Sequence, residues 1–207
     1  DWRHSERRAN KPNAVKTHAA VLWSRNDVEA VMSIAEPSEF VWNGDSTPGR
    51  TQSRSRREGE RAVSYWERKY NELGGHVTVA ALDLGRINER EWSNRFLIAI
   101  DPMIERSALV LYGPKFAQLL HLPEQARPDL PLLRQLPRRY GDVFLKGCRE
   151  AHGKTEPVHV EGEAERYDGR IEQYRAVFIP VGVKRNSLTC FAFGAFNNRI
   201  VSAPAAA

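Results

Sequence analysis

Long hydrophobic runs are missing from this 207-residue chain. The longest, Phe96-Leu97-Ile98-Ala99-Ile100 and Ala108-Leu109-Val110-Leu111-Tyr112, fall far short of the roughly 20 apolar residues that span a bilayer. No membrane segment is expected. The N-terminus opens Asp-Trp-Arg-His with no apolar core region behind it, so a signal peptide is not expected either. A start other than Met points to a trimmed chain or fragment, and a cytoplasmic location is the expectation. Cysteine is scarce: Cys148 and Cys190 alone cannot build a disulfide scaffold or a four-thiolate zinc site. An excess of one charge is also lacking, with 31 basic against 26 acidic side chains and a net charge of +5. Residues 1–61 hold 11 basic and 9 acidic groups, so neither part of the chain is basic enough to announce nucleic acid. No Gly-x-Ser-x-Gly, phosphate-loop or dinucleotide glycine motif is present.

What is present divides near residue 59. The first stretch carries turn signals such as Asn43-Gly44-Asp45-Ser46-Thr47-Pro48-Gly49, with one short helical pattern over 27–35. Residues 49–57 are polar with nothing to bury and read as a solvated linker, so 1–58 is expected to be a poorly ordered leader. Five arginines between Arg50 and Arg61 make that segment the alternative candidate for binding nucleic acid or an acidic partner. From 60 to 73, Ala62, Val63, Trp66, Tyr70 and Leu73 recur at helical spacing, and Gly74-Gly75 supplies a stop. Two short strands are predicted over 94–100 and 107–112, then a short helix over 115–120. The strongest helical stripe follows, through Leu132, Leu136, Tyr140, Val143, Phe144, Gly147, Cys148 and Ala151, ending at Gly153. Strands over 158–165, 171–181 and 188–196 close the domain, the first two joined by an Asp168-Gly169 turn. The tail over 201–207 is expected to fray. Strands on both sides of a helical run predict an α+β domain.

The residues at this point resemble a family. The order of elements over 59–200 is that of a PAS domain, and the chain is similar to a bacterial PAS-like family of about this length. The stretches that carry the resemblance are Tyr65-Trp66, Leu111-Tyr112-Gly113-Pro114 with Ala117-Gln118-Leu119-Leu120, Gly147-Cys148-Arg149-Glu150-Ala151, and Phe193-Gly194-Ala195-Phe196-Asn197-Asn198-Arg199. The resemblance implies a five-stranded antiparallel sheet with helices on one face and the leading amphipathic helix on the other. It also implies a sensory or protein-interaction module in signalling rather than an enzyme, binding a small ligand or a protein partner, often as a homodimer. A pocket would lie between the sheet and Leu136, Tyr140, Phe144 and Cys148. The flavin photosensor pattern needs a cysteine where this chain reads Lys115-Phe116-Ala117-Gln118-Leu119-Leu120, so no flavin photocycle is expected. Haem-binding members use a histidine on the long helix. His152, in its last turn, is the one histidine candidate, and a cation is favoured there in any case; Cys148 is an alternative thiolate ligand, but a buried Cys is usually a packing residue, so haem is not expected.

No metal site is expected. His159, Glu161, Glu163 and Glu165 share one strand face, but alternate strand positions stand about 6.5–7 Å apart, too wide for one hard ion. Arginines across the hairpin are the expected partners of these carboxylates. The last two strands carry apolar residues on both faces, which predicts a sheet covered on both sides. Trp66 and Tyr70 of the leading helix, with Tyr174, Phe178, Phe191 and Phe193 of the sheet, are the expected interaction residues. Their cover is that helix, from the same chain or from a second copy.

Overall fold

The computed structural model describes residues 51–166, 168–183 and 190–201, with backbone alone over 51–57. The helix expected over 27–35, most of the leader, the first two residues expected in the last strand and the tail beyond Val201 lie outside the described residues. The expected antiparallel meander is there. Strands β1 (Arg95–Ile100), β2 (Ala108–Tyr112), β3 (Val158–Glu165), β4 (Ile171–Gly182) and β5 (Cys190–Val201) form one sheet in the order β2-β1-β5-β4-β3. Every pairing is antiparallel, in register from Ile171↔Val201 to Gly182↔Cys190 along the β4–β5 centre. With helices inserted between β2 and β3, this α+β arrangement is consistent with a PAS-like fold.

Both faces of the sheet are covered, which is why all six residues of β1 are buried. On one face lie α2 (Pro114–Leu120), α3 (Leu132–Gln135) and α4 (Arg138–Ala151). On the other lies α1 (Thr51–Glu72), joined by the segment 76–92, whose two 3-10 turns bury Val79 and Leu84. The residues of each strand divide accordingly: Phe96 and Ile98 face α4, whereas Leu97 and Ala99 face α1. No helix among the described residues is long and apolar enough to cross a membrane.

Two expectations are corrected here. The polar residues read as a linker are helical from Thr51 onward, so α1 spans 22 residues, about 33 Å. A helix nucleated by its packed turns propagates outward through good helix formers such as Arg, Gln and Glu with nothing to bury. The long apolar stripe, in turn, is not one helix. Pro137 removes an amide and drives Leu136 to an extended φ of −90° and ψ of 149°, so α3 stops and α4 restarts. Buried positions continue across the break, because the chain re-enters the same face of the sheet.

Candidate functional site

The sequence places a pocket between α4 and the sheet, and that interior is occupied by aromatic rings. Phe96 sits at the centre, with ring centroids 5.3 Å from Phe116, 5.4 Å from Phe144 and 5.3 Å from Phe178. Phe144 in turn lies 5.6 Å from Phe196, itself 5.2 Å from Tyr140. These are the tilted and edge contacts that aromatic quadrupoles favour. Gly147 brings α4 down onto this layer: a Cβ there would stand 2.2 Å from the Phe178 ring. Leu136, Tyr140, Phe144 and Cys148, the four predicted pocket residues, are all buried in this cluster. Burial pushes the Cys148 thiol far up and Cys190 up to about 11, so neither is a thiolate at neutral pH.

At the open end of that interior is a polar network the sequence reading missed. Glu172, 1% exposed, accepts a hydrogen bond from Asn198 Nδ2 and faces Arg139 Nε at 3.4 Å and Arg166 at 3.9 Å. Asn198 Nδ2 also donates to the Tyr140 hydroxyl at 3.2 Å, and the Arg139 guanidinium lies 4.9 Å from the Tyr140 ring centroid. A signal was available: the period of two puts Glu172 on the same face as Tyr174, Ala176 and Phe178, where a carboxylate needs a built environment. His152, the haem candidate, sits exposed at the C-cap of α4.

The opposite face has a different character. Ala62 and Trp66 of α1 are buried against it, and Tyr65 stands edge-on to Trp92 with centroids 5.0 Å apart. Trp92 stacks at 5.7 Å on Phe193, one of the predicted interaction residues, and Phe191 and Tyr70 join the same cluster. Polar ties hold the helix at Glu58 and at Tyr65. The Tyr65 hydroxyl donates to Asp83 at 3.0 Å, and burial raises its pKa to about 12. Lys115 Nζ of α2 reaches Glu58 at 3.1 Å around the end of the sheet. Arg95 is 5% exposed, and its guanidinium donates to the Glu58 carbonyl at 2.8 Å, the side chain's one hydrogen bond among the described residues. Burial pulls that guanidinium down to about 10. Among the described residues Trp66 Nε1, Asn94 Oδ1 and, on the α4 side, Glu172 Oε2 are buried with no hydrogen-bond partner. A cleft of ≈ 210 Å³ opens between Gly59 and Glu60 of α1 and the wall formed by His159, Glu161 and Arg175.

The six predicted interaction residues therefore do not share a surface. Trp66, Tyr70, Phe191 and Phe193 meet under α1, but Tyr174 and Phe178 lie on the α4 side. In β4 the residues facing α1 are the alternate set Val177, Ile179 and Val181, so Tyr174 and Phe178 fall on the other face of the pleat. The carboxylate row on β3 faces solvent, with Glu161 paired to Arg175 at 3.1 Å across the hairpin as expected. Of the segment 50–61, side chains are described from Glu58 on, with Arg61 exposed. No protein-family model and no curated protein matches the chain. Among solved structures, a fungal LOV-domain photoreceptor is similar at 20% identity, over 56% of this chain and 81% of that one, with a TM-score of 0.32.

Proposed function

We propose that this chain is a PAS-like sensory and protein-interaction module that works without catalysis, with α1 as the element that moves. The observation that carries this reading is the asymmetry between the two faces of one sheet. The α4 side is filled by interlocked aromatic rings, with glycine where a methyl group would collide. The α1 side holds the buried, unpartnered Trp66 Nε1 and an Arg95 guanidinium with one hydrogen bond among the described residues. Each unsatisfied buried group costs about 1–3 kcal/mol and is relieved when water reaches it. Lifting α1 therefore costs less than its buried area alone suggests, while the sheet and α4 remain a rigid platform. An element held this way exposes Trp92, Phe191 and Phe193 to a partner when it leaves.

The filled interior favours a protein partner over a ligand held between α4 and the sheet. Native mass spectrometry of the full chain, after extensive buffer exchange, with an absorbance spectrum of the same sample, tests this. The expected result is the bare polypeptide mass, or multiples of it, with no visible absorption band. A stoichiometric adduct or a coloured protein would overturn it.

A further inference from the structure

The cleft under Gly59 of α1 lies at the edge of the core on that side, with Val177 and Ala195 of that core among its lining residues. Its roof is Gly59, which lies on the sheet-facing stripe of α1, three residues before Ala62 and seven before Trp66. A Cβ built at Gly59 meets nothing within 4 Å. Glycine is a poor helix former, so both helix propensity and packing would favour a side chain there.

We infer that this cleft binds a small amphoteric compound of the size of a free α-amino acid. Its volume is ≈ 210 Å³. That is below the roughly 300 Å³ at which pockets for drug-sized molecules begin. The walls carry both signs. Arg175 and His159 offer donors to a carboxylate, and Glu60 and Glu161 offer acceptors to an ammonium group. A purely anionic ligand would face Glu161, and a purely cationic one would face Arg175, so a molecule with both groups matches the lining. The Glu161–Arg175 pair is about half exposed, with side chains 59% and 46% accessible, and such a pair exchanges partners at little cost. This inference does not depend on α1 moving, and its test is separate.

The twenty common L-amino acids, each at about 10 mM, are screened for a rise in the melting temperature of the full chain, since a ligand of the native state stabilises by mass action. At least one is expected to give a saturable rise of several degrees. Its N-acetylated and C-amidated forms are expected to bind about tenfold more weakly or worse, because each loses one charge-assisted contact. Gly59→Leu is expected to melt no lower than the parent chain and to lose the response. Should that variant fail to fold, Arg175→Gln at the exposed rim decides: a tenfold loss of affinity supports the site. No response from the parent chain to any amino acid, or an unchanged affinity in either folded variant, would overturn the inference.

Discussion

Trp66 shows how much a single side chain contributes to holding α1. It is 7% exposed, with its ring 4.9 Å from Tyr70. Trp66→Ala is expected to lower unfolding free energy by about 3–5 kcal/mol in denaturant titrations. Gly147 argues in the opposite direction, towards overfilling. With Phe178 at 2.2 Å from a built Cβ, Gly147→Ala is expected to cost about 1–3 kcal/mol by forcing ring and helix apart, although alanine favours helix. Asp168 carries a pH signature. Hydrogen bonds from Arg170 hold its carboxyl down at about 2, whereas an unfolded aspartate titrates near 3.9. A depressed native pKa contributes stability above the unfolded value and loses it as pH falls through the native one. Asp168→Asn is therefore expected to melt below the parent at pH 7 and to match it near pH 2. A gap that persists at pH 2 would assign the effect to the turn backbone instead.

At the scale of elements, the sequence pattern was readable wherever one period ran unbroken. The alternation over 158–165 predicted β3 to the residue, and Glu161 found Arg175 opposite it. Patterns failed where a backbone rule cut across them. The stripe from Leu132 to Ala151 counted apolar positions and passed over Pro137, which divides it into α3 and α4. Polar residues after Thr51 gave no periodicity, so helix there was invisible although the backbone continues through them. With apolar residues on both faces of β4, hydropathy could not say which face Phe178 joins; pairing with Gly194 opposite Phe96 decides it. Nor could the fill of the pocket be read, because the same aromatic stripe lines a cavity or closes one depending on packing distances. The Glu172 network belongs to this scale, since it ties α4, the β3–β4 turn and β5 together. Glu172→Ala removes the carboxylate that Asn198, Arg139 and Arg166 share and is expected to cost about 1–3 kcal/mol.

For the molecule as a whole, one sheet serves two unlike layers. One is an aromatic core closed by α4, and the other is a helix latched at Glu58 and Tyr65 over imperfectly satisfied polar groups. Deleting residues 1–75 uncovers Val177, Ile179, Phe191 and Phe193 together, an apolar face large enough to drive self-association. The truncated chain is expected to aggregate or change its oligomeric state in light scattering. A monomer with an unchanged melting temperature would show that α1 covers nothing of consequence. The claim that α1 moves on a rigid platform is tested most directly by native-state hydrogen exchange of the full chain, followed by peptide mass spectrometry. The account predicts that amides over 58–72 exchange through a partial opening, at lower free energy than those of β1, β4 and β5, which wait for global unfolding. Exchange of α1 and the central strands in one cooperative event would contradict it.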